Sequence, residues 1–94
     1  MTEREKMLAG QYYDPSDPEI VEMCVQGRLA MEKFNQTSAT LRDERKNIIQ
    51  SLFGSTGQHT HIESVFSCDF GQNIHVGENF YANFGCVILD VAEV

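Results

Sequence analysis

The sequence predicts an α+β protein in which amphipathic helices precede the first coils of a parallel β-helix. Helix-capping signals and helical apolar spacing continue as far as residue 54, and no Lys or Arg follows residue 46. Beyond residue 60 an apolar repeat with a period of six appears, and five of the seven glycines lie between Gly54 and Gly85. We therefore divide the chain into a helical part, 1–54, and the start of a β-helix, 55–94.

Capping signals mark the first two helices. Thr2 and Glu5 form a capping box, in which the hydroxyl and the carboxylate accept from backbone N–H groups, and Gly10 suits a left-handed helix end. Asp17 can cap the second helix with Pro18 at its first position. Over roughly 18–34, apolar side chains recur at helical spacing: Ile20, Met23, Cys24, Met31 and Phe34.

A third helix is predicted between Thr40 and Gly54. Thr40, with Asp43 three residues later, is expected to cap it, and Gly54 is expected to end it. Gly27 lies on the apolar face of the second helix and predicts a close packing contact there. The apolar residues of the third helix are expected in the core: Leu41, Ile48, Ile49, Leu52 and Phe53.

Two apolar series organise the second half, each spaced by six and separated by a two-residue slip: Ile62, Cys68 and Ile74, then Val76, Ala82, Ile88 and Val94. In a parallel β-helix each six-residue unit forms one flat wall, and three units close one coil. One apolar side chain of each wall points inward and stacks on its equivalents in the neighbouring coils. The period therefore predicts short parallel strands rather than hairpins.

Charge and composition exclude several partners. The net charge is −7, and all seven basic residues lie between Arg4 and Lys46, so neither nucleic acid nor an anionic membrane is an expected partner. The N-terminus has no secretion signal and no apolar run could span a bilayer, which predicts a cytoplasmic protein. The three cysteines have no CxxC spacing and are expected to be free thiols.

Several segments resemble the maltose and galactoside O-acetyltransferases, a family of hexapeptide-repeat enzymes: 1–10, 13–20, 34–35, 52–54, 68–74 and 76–91. The resemblance runs in register from Met1 to Val94. It implies a left-handed β-helix, a homotrimer, and transfer of an acetyl group from acetyl-CoA to a sugar hydroxyl. The site is implied to lie between neighbouring subunits.

The resemblance also assigns an acceptor-sugar site to these residues: Asp14 or Asp17, Asp69, Tyr81, Asn83 and Asp90. Carboxylates and amides suit paired sugar hydroxyls, an aromatic ring can cover a sugar face, and the amide of Asn83 could donate to the oxyanion of the reaction. Turn-forming roles for Asp69 and Asp90, and a packing role for Tyr81, remain open as alternatives.

Two departures from the family pattern stand out. Met23, Cys24 and Val25 occupy positions where members often carry basic residues, which puts the preferred substrate in doubt. In the family, the histidine that acts as the general base and most of the CoA site come after the segment that matches Val94. Acetyl transfer needs such a base, so we expect a fragment or truncated copy that is inactive alone.

The chain's own histidines do not replace that base. His59 and His61 form a His-x-His pattern without a recognisable third metal ligand, so no metal is predicted, and His75 is expected at the surface. Three functions remain open: the N-terminal half of an acetyltransferase, a non-catalytic paralogue or fragment that assembles with full-length subunits, and an independent sugar-binding module. The third would need a sugar pocket without neighbouring coils.

Overall fold

A computed structural model describes all 94 residues, with three helices followed by four short strands. Their bounds are α1 Glu3–Leu8, α2 Pro18–Gln36, α3 Arg42–Leu52, β1 Thr60–Ile62, β2 Ser67–Cys68, β3 Phe80–Ala82 and β4 Val87–Ile88. The predicted order of helices and then parallel strands is confirmed. None of the helices combines the length and the apolar character that crossing a membrane requires.

The first two helices begin where their capping residues predict. The backbone N–H of Glu5 donates to Thr2 Oγ1 at 3.1 Å, and the N–H of Thr2 donates to Glu5 Oε1 at 3.2 Å, which completes the capping box. Gly10 has φ +75 just after α1. At α2, Asp17 Oδ2 accepts from the N–H of Glu19 at 3.1 Å.

The predicted cap of α3 is wrong. Leu41 occupies the N-cap position and provides no side-chain hydrogen bond. The hydroxyl of Thr40 instead pairs with that of Ser38 at 2.9 Å, and the N–H of Thr40 donates to Ser38 Oγ at 3.2 Å. This local turn competes with capping for the same side chain. Leu41, which was expected in the core, is exposed.

The strands pair in parallel with one constant offset. β1 pairs with β3, and β2 pairs with β4, so that Ile62 lies beside Ala82 and Cys68 beside Ile88, each twenty positions apart. Three six-residue units account for about 18 of these positions. The two-residue slip after Ile74 accounts for the other two, so the slip read from the sequence is a lengthened coil.

Helices and coils share one apolar core. Its buried members come from both halves of the chain: Met31, Phe34, Ile49, Phe53, Ile62, Phe66, Ile74 and Ala82. A smaller cluster joins Met7, Ile20 and Phe70. The close approach predicted for Gly27 is present, because a Cβ atom there would lie 2.6 Å from the carbonyl oxygen of Phe70.

Two polar side chains of the helices reach the first coil. Asn35 binds both backbone groups of Phe66: its Nδ2 donates to the carbonyl at 2.9 Å and its Oδ1 accepts from the N–H at 3.0 Å. The guanidinium of Arg45 lies over the Phe34 ring, 4.2 Å from its centroid, and donates to the carbonyl of Ile62 at 3.1 Å. These contacts join α2 and α3 to the first coil.

Candidate functional site

Asp90 lies at the corner that follows β4, with none of its surface exposed to solvent. Its Oδ1 accepts from the N–H groups of Asp69 at 3.0 Å and Phe70 at 2.9 Å. Its Oδ2 accepts from those of Gly71 at 2.7 Å and Asn73 at 3.3 Å. Both oxygens are thus engaged by one turn of the backbone. Of the roles left open by the sequence, this geometry corresponds to the turn-forming one.

Asp69 provides the accessible carboxylate of the same corner. Partial burial and then the negative charge of Asp90 raise its pKa, whereas the positive charge of Arg28 on α2 lowers it. Burial and the two nearby aspartates also raise the pKa of the Cys68 thiol to about 12. This thiol therefore stays protonated at neutral pH and is not a nucleophile.

The turn between α1 and α2 adjoins this corner. Tyr13, in that turn, packs against the small cluster that contains Phe70. Asp14 Oδ1 accepts from the N–H of Ser16 at 2.9 Å and from its hydroxyl at 2.6 Å, and these bonds lower the pKa of Asp14. Asp17 caps α2, as described above. Each acid thus has a local role, and only Asp14 is fully at the surface.

Tyr81 and Asn83 lie on the other side of β4. Tyr81 is 59% exposed and its ring stacks on that of His61, with centroids 5.3 Å apart and planes inclined by 11°. His61 Nε2 lies 2.6 Å from Glu63 Oε1. Asn83 Oδ1 accepts from the N–H of Phe84 at 2.8 Å, which leaves the amide NH₂ of Asn83 without a partner.

The ladder sets His61 and Glu63 beside the two predicted residues. His61 is the register partner of Tyr81, and the N–H of Glu63 donates to the carbonyl of Ala82 at 2.9 Å, which continues the alignment towards Asn83. Glu63 was not singled out from the sequence, and His61 was considered there only as part of a His-x-His pattern. The twenty-residue offset is the signal that would have found both.

The predicted site residues therefore form two groups. Asp69 and Asp90 lie together at one end of β4, next to the α1–α2 turn, and Tyr81 and Asn83 lie beyond its other end. The outer surface between them is apolar and exposed: Val65, Phe84, Val87 and Leu89. Within one copy of the chain no side-chain hydrogen bond or ring contact joins the two groups.

The histidines form no metal centre. No group of three or more His, Cys, Asp or Glu side chains is arranged to hold a metal ion. His75 lies between Ser55, whose Oγ is 2.9 Å from Nδ1, and Glu93, whose Oε2 is 2.5 Å from Nε2. His61 is the histidine whose ring contacts a predicted acceptor residue, Tyr81.

The family described as Maltose acetyltransferase hexapeptide capping motif matches residues 6–57. The chain belongs to the maltose acetyltransferase family. This membership confirms the resemblance drawn from the sequence. The matched residues cover all of α2 and α3 and end shortly before β1.

The matches between this acetyltransferase-family chain and its relatives cover its whole length. A Dictyostelium discoideum protein assigned to the acetyltransferases is 48% identical over 94 residues, covering all of this chain and 48% of that protein. A maltose O-acetyltransferase from Clostridium difficile has a TM-score of 0.97 and 42% identity, over 99% of this chain and 50% of its own.

A hexapeptide-repeat acetyltransferase of Vibrio cholerae, solved with acetyl coenzyme A, has a TM-score of 0.82 and 33% identity over 98% of this chain and 49% of its own. The chain thus spans about half the length of the relatives it matches.

Proposed function

We propose that residues 1–94 form the acceptor-binding part of an acetyltransferase that moves an acetyl group from acetyl-CoA to a sugar hydroxyl. Membership of the maltose acetyltransferase family supports the reaction class. The observation that carries the assignment to this part is the exposed Tyr81–His61 stack with the unengaged amide of Asn83 beside it. An aromatic platform with a free hydrogen-bond donor suits a sugar ring and a reacting carbonyl.

The chemistry assigns a separate task to each side chain. The sugar hydroxyl attacks the thioester carbonyl while a base takes its proton. The C–S bond of the tetrahedral intermediate then breaks, and the protonated base returns the proton to the sulfur, so that the coenzyme leaves as its thiol. Asn83 would donate to the oxyanion of the tetrahedral intermediate, and Tyr81 would support the sugar face. Asp69 would accept from sugar hydroxyls, and Asp90 would hold the backbone of Asp69 in place.

In the family, the coils after the segment that matches residue 94 supply the base and most of the coenzyme A site. His75 is a poor candidate, because both of its ring nitrogens are engaged by Ser55 and Glu93. A left-handed β-helix that continues beyond residue 94 would bring the family's histidine towards Asn83. The α1–α2 turn, with Asp14 or Asp17, would complete the acceptor side.

Assembly into a trimer would bring the two groups of residues together. The apolar surface between them includes Phe84, 74% exposed, and Leu89, 68% exposed. Contiguous apolar side chains of this kind mark surfaces that pack against another subunit. If this apolar surface packs against a neighbouring subunit, Asp69 of one subunit faces Tyr81 and Asn83 of the next.

The same apolar surface supports a second candidate function. A chain without its own base could still pack against full-length subunits and alter their activity. This candidate predicts association without acetyl transfer, whereas the first predicts turnover once the missing coils are supplied.

A chimera separates the two functions. Residues 1–94 are joined to the second half of the Clostridium difficile maltose O-acetyltransferase, and release of the coenzyme A thiol is measured with a panel of sugars. We expect a trimer that acetylates a sugar, and Asn83→Ala should lower its turnover by about 10²–10³-fold. Asn47→Ala, on the exposed face of α3, is the matched control and should leave turnover unchanged.

Two results would contradict the proposal. A folded trimeric chimera without transfer to any sugar would favour the second function. Turnover by the isolated 94-residue chain would place the base among its own histidines, and His61→Gln would then identify or exclude the one beside Tyr81.

A further inference from the structure

A groove of about 590 Å³ lies between α3 and the first strand of each coil. Arg42 and Lys46 line it from α3, and His59 and His61 line it from β1 and the residue before it. Its floor includes Ile49 and Ile62. We call this the cation groove. Tyr81, predicted to support the sugar ring, lines it as well, so the groove is continuous with the proposed acceptor site.

The side chains that line the groove carry a net positive charge, although the chain as a whole carries a net charge of −7. Three permanent cations line it, Arg42, Arg45 and Lys46, against one carboxylate, that of Asp43. Two further acids lie next to it: Glu63, which is paired with His61, and Glu78, whose carboxylate accepts from the N–H of Gln58. Another groove, between α2 and α3, has the opposite balance, with two glutamates and one lysine.

Two of the three cations are free to bind a ligand. Arg45 is already committed, since its guanidinium donates to the carbonyls of Phe34, Thr37 and Ile62 and to the hydroxyl of Ser64. Arg42 and Lys46 take part in none of the ion pairs of the structure, which involve Lys6, His61 and His75. They lie four residues apart on α3 and therefore on one face of the helix.

The groove also contains an unsatisfied hydroxyl. Thr60 lines it, and its Oγ1 is buried without a hydrogen-bond partner. A buried polar atom of this kind costs free energy until a partner reaches it. The cation groove thus combines two free cations with an aromatic stack at one end, and the unsatisfied hydroxyl of Thr60 is buried in its wall.

We propose that the cation groove binds an anionic substituent, a phosphate, sulfate or carboxylate, of the sugar whose ring lies on Tyr81. The inference rests on the proposed function and narrows its substrate class from sugars in general to anionic sugars. A neutral sugar would leave Arg42 and Lys46 without a partner, and a free anion would make no use of the Tyr81–His61 stack.

Titration of the 94-residue chain followed by NMR tests this inference, with glucose 6-phosphate and glucose as probes. We expect glucose 6-phosphate to bind about tenfold more tightly, and raised salt to remove most of the difference. The double variant Arg42→Gln, Lys46→Gln should bind the two probes equally. Lys33→Gln, which removes a cation from the other groove, is the matched control and should retain the preference.

Other outcomes would overturn the inference. Equal affinities in the unaltered chain would refute the anionic class. Inorganic phosphate or coenzyme A binding as tightly as glucose 6-phosphate, with no loss in Tyr81→Ala, would make the groove an anion site without a sugar. Both results are independent of the chimera assay. Transfer of acetyl to a neutral sugar by the chimera would still support the proposed function.

Discussion

Replacement of Asp90 by asparagine should strongly destabilise the fold. The carboxylate accepts from four backbone N–H groups, and an amide keeps one acceptor while its NH₂ faces two of those donors. Loss of two charge-assisted hydrogen bonds costs about 3–6 kcal/mol. A domain of this size has a stability of roughly 5–14 kcal/mol, so the change removes a large share of it.

Urea denaturation followed by circular dichroism measures this loss for Asp90→Asn. Glu93→Gln makes the same acid-to-amide change three residues later, where the carboxylate contacts His75 at the surface. Because exposed pairs contribute little, this control should change the free energy of unfolding by less than about 1 kcal/mol. A loss below about 1 kcal/mol in Asp90→Asn would show that the turn does not depend on the buried carboxylate.

Two further variants test the corner and the helix contact. Since partial burial and Asp90 raise the pKa of Asp69, its ionisation opposes folding, and stability is lost as pH rises through that pKa. Asp69→Asn should therefore be at least as stable as the unaltered chain at pH 7, with the gain absent at pH 3; a clear loss at pH 7 would refute this. Gly27→Ala should cost about 1–3 kcal/mol, because its Cβ would meet the Phe70 carbonyl. Gly77→Ala, with no atom within 4 Å of the added Cβ, should not lower the free energy of unfolding in this way.

Local signals predicted the elements that depend on local chemistry. The capping box of Thr2 and the Asp17 cap involve residues close in sequence, so their hydrogen bonds could be predicted. The cap of α3 failed for the same physical reason, since Ser38 lay near enough to bind the hydroxyl of Thr40. The six-residue period predicted the inward side chains except Val94, which is 57% exposed at the end of the second series. It did not predict which residues face one another.

The candidate site depended on contacts that the period alone does not fix. The stack of His61 on Tyr81 requires a coil of twenty residues, and a strict coil of about 18 would have paired other residues. The role of Asp90 was equally hidden, because its four donors come from a turn about twenty residues earlier. The family resemblance named Asp69, Tyr81 and Asn83, but their arrangement in two groups came from the fold.

The hydrogen bonds of Asn35 and Arg45 to the first coil affect its tendency to aggregate. A β-strand with an unpaired edge invites another chain to add to it. Asn35 occupies both the N–H and the carbonyl of Phe66, and Arg45 occupies the carbonyl of Ile62. These are backbone groups of the first coil on the side that faces the helices. The two side chains thus occupy three backbone groups to which another chain could otherwise form hydrogen bonds.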